Sequence, residues 1–128
     1  MTEISPNEMF NRIVDSRLDA PGILASLGNM FLTITVAIPS GGDPGEQGGF
    51  EPVIALEQGV PFMLVLSSPA ALTKSEELVG YALQTTGRGV VQSLAPGTGI
   101  IVDTGQTSLR LVPELIEELR LRPDELSG

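Results

Sequence analysis

The chain reads as α/β (α+β): one compact domain with a mixed, mainly antiparallel sheet of about five strands, a central hairpin, and helices flanking it. Three observations lead there. A length of 128 residues with 41% hydrophobic residues supports one core, whereas two domains of half that size would each be marginal. The apolar spacing alternates along the chain between three- or four-residue steps and steps of two. Two apolar runs, 52–56 and 61–66, flank the short polar turn Glu57-Gln58-Gly59-Val60.

Taken in order, Ser5-Pro6-Asn7-Glu8 places a capping residue, a proline at the first helical position and a glutamate three after the cap. A helix follows, with Met9, Phe10, Ile13, Val14 and Leu18 on one face, and Pro21-Gly22 breaks it. Residues 23–27 predict a short second helical turn closed by Gly28. Residues 31–38 then alternate, with Leu32, Ile34, Val36 and Ile38 on the buried face of a strand. Residues 39–49 hold five Gly, two Pro and no aliphatic side chain, which predicts a mobile loop within the domain.

The hairpin comes next. Its apolar residues fall on both faces, so both strands are expected to be central in the sheet and covered by helices on part of each side. Ser68-Pro69 repeats the cap-then-proline signal for a short helix over 70–74. Val79, Tyr81 and Leu83 mark a strand within 78–85, and residues 86–94 read as a helix despite Gly87 and Gly89. Ala95-Pro96-Gly97 turns the chain into a strand at 99–103, and 108–111 supplies a short neighbour for it. Pro113 opens a last helix with Glu114 in its first turn and Arg120 and Arg122 at its end, an order that suits the helix dipole. Pro123 stops this helix, and 124–128 is expected to fray.

Composition removes several chemistries. There is no Cys and no His, so disulfides, thiolate nucleophiles, the usual zinc ligands and imidazole acid–base catalysis are excluded. The net charge is −9, and from Leu18 to Thr73 there are five acids and no Lys or Arg. Nucleic acid and anionic membrane need clustered cations, so neither is expected as a partner. The Met1 start lacks a basic and apolar leader, and no apolar run nears the about 18 residues of a membrane span, which suggests a cytoplasmic protein.

Each tempting motif has a simpler role beside it. Ile100-Ile101-Val102-Asp103-Thr104-Gly105 matches the aspartic-protease signature, in which two carboxylates from two subunits share a proton. Only 23 residues follow Gly105, too few for the flap and the threading segment such a subunit needs. The simpler role is a strand end with Asp103 accepting backbone hydrogen bonds. Gly87-Arg88-Gly89 and Gly97-Thr98-Gly99 complete no phosphate-binding motif and read as turn and capping residues. Asp43, Glu46 and Glu51 share one loop but lack the alternating register of a calcium loop. Ser67, Ser68 and Ser75 have only Lys74 as a candidate base, and that lysine sits beside Glu76 and Glu77. Glu114, Glu117 and Glu118 read as the wet face of the last helix.

From Phe50 onward the chain resembles the N-terminal domain of the bacterial SseB family. The resemblance is carried by Pro52-Val53-Ile54-Ala55-Leu56 with Pro61-Phe62-Met63-Leu64-Val65-Leu66, by Ser68-Pro69-Ala70-Ala71-Leu72, by the run from Leu94 to Val102, and by the helix opened at Pro113. In the family the last strand runs into Asn-Pro-Gly, whereas here it runs into Asp103-Thr104-Gly105. The resemblance implies a compact α/β domain of bacterial origin with no established enzymatic activity; the chain is read as one such domain over 1–128, and its residues point to no cofactor and no metal.

The expectation is therefore a bacterial interaction or accessory domain that binds a protein of unknown identity. Partner-surface candidates are Glu57, Gln58 and Gly59 in the hairpin turn and Asp103, Thr104 and Gly105 at the strand end. An unpaired sheet edge could also join copies into a homo-oligomer. The alternatives are a small-ligand sensor and an Asp103-centred hydrolase acting as a homodimer.

Overall fold

In the computed structural model, which describes residues 6–15, 23–43, 45–68, 71, 73 and 80–121, four helices and six strands form one α+β domain. The first helix, α1, spans Pro6–Asp15, with Pro6 first and Glu8 in its first turn as expected; the capping Ser5 and the break at 21–22 lie outside the described residues. The second, α2, spans Ile23–Thr33 and corrects the short turn expected there. It runs straight through Gly28 because that glycine is a packing point. A Cβ at Gly28 would stand 3.2 Å from Leu119 Cδ1, so the missing side chain lets the last helix approach.

Strand β1 follows at Thr35–Ser40, which corrects the predicted start at Phe31. Phe31 and Leu32 are buried as helical residues, and the Thr33 hydroxyl donates to Met30 O one turn back. Ile34, Val36 and Ile38 do form one buried row, as their alternation predicts. β1 also takes in Pro39 and Ser40 from the predicted loop. Fully buried, Ser40 closes the loop's neck: its Oγ accepts from Glu51 N (2.9 Å), while Gly41 N donates to Glu51 O (2.9 Å).

β2 (Ile54–Glu57) and β3 (Val60–Leu66) form the hairpin, joined by Gln58 and Gly59 with φ of 53° and 82°. Positive φ at both central residues gives the turn whose twist matches paired strands. β4 is Tyr81–Thr86, α3 Gly87–Ser93, β5 Gly99–Asp103, β6 Ser108–Leu111 and α4 Pro113–Arg120. Thr86 caps α3, its Oγ1 accepting from Gly89 N at 3.1 Å. Of the helix predicted near 70–74 only Ala71 and Thr73 are described; Ser68 Oγ accepts from Ala71 N, as a cap does.

The sheet order is β4-β1-β3-β5-β6, with β2 also on β3. Among the described residues only the β3–β5 pair is parallel. β3 is central, but β2 is not, which corrects the expectation that both hairpin strands are. Ile54 is 48% exposed and Leu56 73%. The core lies between the sheet and the helices, where Phe10, Val14, Leu27, Phe31, Val90 and Leu119 meet the inner row of β1, β3 and β5. Phe10 and Phe31 are fully buried with ring centroids 6.2 Å apart, and burial of each contributes about 1.5–3 kcal/mol. Among the described residues no helix is long and apolar enough to cross a membrane.

Candidate functional site

Two places combine shape and chemistry. The first lies at the carboxyl ends of the parallel pair β3 and β5, where open α/β sheets commonly take ligands. Four-residue spacing puts Asn7, Asn11 and Asp15 in a row along α1, which crosses those ends. Asn7 Nδ2 donates to Thr35 O (2.6 Å) and its Oδ1 accepts from Thr35 N (3.3 Å). Asn11 Nδ2 donates to Ser67 O (3.0 Å), and Ser67 Oγ donates to Asn11 Oδ1 (2.6 Å). Thr104 Oγ1 donates to Asp15 Oδ1 and accepts from Thr107 N, and Ser68 Oγ donates to Thr104 O. A cleft of about 470 Å³ opens beside this row, between Asn7, Asn11, Thr35, Leu66 and Ser67.

This network bolts α1 across β1, β3 and the turn after β5. Among the described residues no buried side-chain nitrogen or oxygen lacks a partner. Its groups are committed to one another, and the Ser67 hydroxyl faces an amide oxygen rather than a base. Lys74 and Ser75, the residues considered for a Ser/Lys pair, lie outside the described residues.

The second place is an apolar groove of about 580 Å³ on the helix-bearing side of the sheet. Its floor is Ile38, Met63 and Ile54, one wall is Val90 of α3 and Leu94 just after it, and Leu83 and Phe50 form the rim. Leu83 and Phe50 are each 38% exposed, and Tyr81 beside Leu83 is 45% exposed. An apolar concavity with half-exposed rim residues is the kind of surface that partners cover.

The residues singled out from sequence fall into two separate turns. Glu57 meets Arg110 of β6 in a two-pronged ion pair, Nε to Oε1 at 2.6 Å and an Nη2 bond to Oε2 at 2.7 Å. The hydrogen bond to Arg110, reinforced by its charge, holds the Glu57 carboxyl below its ordinary value. Gln58 and Gly59 are the two exposed turn residues. Asp103 Oδ1 accepts from Gly105 N (2.7 Å), Thr104 is buried, and Gly105 has φ of 96°.

The first turn precedes β3 and the second follows β5, which runs parallel to it, so the two stand at opposite ends of the sheet and form no joint surface. Asp43 Oδ1 accepts from Gly45 N (2.8 Å) in a local turn, and among the described residues no group of three or more Asp or Glu stands together as a metal site. The α1 row and the groove both escape a reading of the sequence. The row leaves a signal, three polar residues at four-residue steps beside Phe10 and Val14; the groove is assembled from five separated segments and leaves none.

Comparison with protein-family models, with curated proteins and with solved structures gives no match in any of the three.

Proposed function

We propose that this chain is a non-enzymatic interaction domain, a bacterial accessory module of SseB-like organisation, whose working surface is the apolar groove between α3 and the Phe50–Leu83 rim. The observation that carries this reading is the exposure of Ile54, Leu83 and Phe50 around one concavity, since isolated apolar residues on a surface would mean nothing. The self-satisfied polar row under α1 supports the same reading, because it builds structure rather than reactive groups. The partner is a protein segment with apolar side chains, and a net charge of −9 favours one that is basic over one that is acidic.

Benzoylphenylalanine in place of Leu83, with Glu114 on α4 as the control site, tests this in the native cell. One discrete crosslinked species from position 83 that is absent from position 114, and that disappears when Ile54→Asp is added, is expected. Equal, diffuse crosslinking at both sites would refute the proposal.

A further inference from the structure

β4 ends the sheet among the described residues, and its six residues carry neither a charge nor a proline. Edge strands are ordinarily protected by Lys, Pro or a bulge, so an uncovered apolar edge is a template for another strand. Which backbone groups it offers follows from the register. Thr35 faces Thr86, so Ile34 faces Gly87, and Gly87 N donates to Ile34 O at 3.0 Å. Hydrogen-bonded and non-bonded pairs alternate in an antiparallel ladder, which makes Val36–Thr85, Ile38–Leu83 and Ser40–Tyr81 the bonded pairs. The N–H and C=O of Ala82 and Gln84 therefore point away from β1, and both residues are exposed.

Side chains alternate with these groups. Tyr81, Leu83 and Thr85 lie on the groove side, so an added strand would lay every second side chain against the Tyr81–Leu83 rim. Charge then orients the visitor. Tyr81 pairs with Ser40, and Ser40 holds the neck of the loop that carries Asp43, Glu46 and Glu51. The Tyr81 end of β4 is thus the acidic end. In the slightly more stable antiparallel arrangement, the carboxyl-terminal end of an incoming segment arrives there.

We infer that β4 takes up an extended segment of a partner protein by antiparallel strand addition, a segment with apolar residues at alternate positions followed by Lys or Arg at its carboxyl-terminal end. This rests on the groove reading and adds to it the backbone mode and the chemistry of the partner.

The probe is the peptide acetyl-Thr-Val-Thr-Val-Thr-Lys-Lys-amide, titrated into the full chain and followed by amide shifts and hydrogen exchange. Slowing of exchange at Ala82 and Gln84 by tenfold or more at saturation is expected, with a tenfold or greater loss of affinity when both lysines are replaced by glutamates. Gln84→Pro removes one outward N–H at a position where an edge strand tolerates proline, and should weaken binding by tenfold or more. N-methylation of the peptide backbone should do the same to the unaltered protein, which keeps the test valid if Gln84→Pro fails to fold.

Binding that survives both changes but is lost in Ile54→Asp overturns strand addition and leaves the groove reading intact. Failure of this peptide and of its Glu-ended and N-methylated forms to bind, with Ile54→Asp leaving the crosslink at position 83 unchanged, overturns both. Concentration-dependent protection of Ala82 and Gln84 without peptide would assign the edge to a second copy of the chain and overturn the inference.

Discussion

Replacing Arg120 with methionine tests how α3 and α4 are joined. From the end of α4, the guanidinium reaches the carboxyl end of α3: Nε and Nη2 donate to Val91 O at 3.3 and 3.2 Å, Nη2 donates to Leu94 O at 2.8 Å, and Nη1 meets Glu117 at 2.9 Å. A cation on the last carbonyls of a helix satisfies acceptors that have no partner within it and complements its dipole. Hydrogen bonds to a charged group contribute about 1.5–3 kcal/mol each, and here two acceptors lose their donor.

The side chain is 22% exposed, so water recovers part of that, and the Glu117 pair adds little. A methionine at this position keeps an unbranched apolar stem of similar reach. The net expectation is a loss of about 2–3 kcal/mol, which with a urea slope of about 1.5 kcal/mol/M lowers the unfolding midpoint by about 1–2 M. Arg120→Lys should recover less than half, because one ammonium cannot span both carbonyls as the planar fork does. A midpoint for Arg120→Met within about 0.3 M of the unaltered protein, or full recovery by lysine, would refute this account of the joint.

Gly87→Ala should cost about 2–4 kcal/mol in the same assay, since its Cβ would fall 1.8 Å from Phe31 O and backbone must move; Gly80→Ala, which meets nothing within 4 Å, should stay within about 0.5 kcal/mol. Thr104→Val leaves Asp15 and the N–H groups of Gln106 and Thr107 without their partner and should cost about 2 kcal/mol by thermal unfolding, with Thr104→Ser restoring most of it. Carboxyl chemical shifts should place Glu57 below its ordinary value of 4.5 and return it toward that value in Arg110→Gln. A depressed carboxylate contributes stability that is present above its unfolded value and fades as pH falls through the folded one, so the difference between the unaltered protein and Arg110→Gln should shrink under acid.

Elements whose signals are local are legible in the sequence. The turns at Gln58-Gly59 and Ala95-Pro96-Gly97, the apolar run of β5 and the proline that opens α4 each act within a few residues, and the structure places them as expected. The α2–β1 boundary is hidden because Leu32 continues the alternation of Ile34, Val36 and Ile38 while also standing on the buried side of a helix. Gly28 looks like a helix stop because its partner, Leu119, is ninety-one positions away in the chain. Arg120 suits the dipole of its own helix, whereas its carbonyl partners belong to α3. The apolar Ile54 and Leu56 make the whole hairpin look central, yet apolarity marks burial only where something covers it. On β2 nothing among the described residues does: Ile54 lines the groove and Leu56 faces solvent.

How that groove arises follows from two backbone devices. β1 and β2 lie along the same edge of β3, the first at Ala37–Leu66 and the second from Ile54–Met63 to Glu57–Val60. Residues between them leave the sheet and return, and the Ser40 hydroxyl, with the Ser40–Pro52 bridge, holds the two ends of that excursion together. β2 is thereby kept in the sheet with no strand beyond it among the described residues. At the other side, Gly87 starts α3 directly from β4 and against the backbone of α2, which packs Val90 and Val91 into one core with Val36 and Ile38 but without Ile54. Each device is local and each has its own structural reason, but together they leave one end of the apolar face without a roof. A solvent-facing Ile54 and Leu83 are the direct consequence among the described residues, and they supply the apolar surface on which the proposed partner would dock.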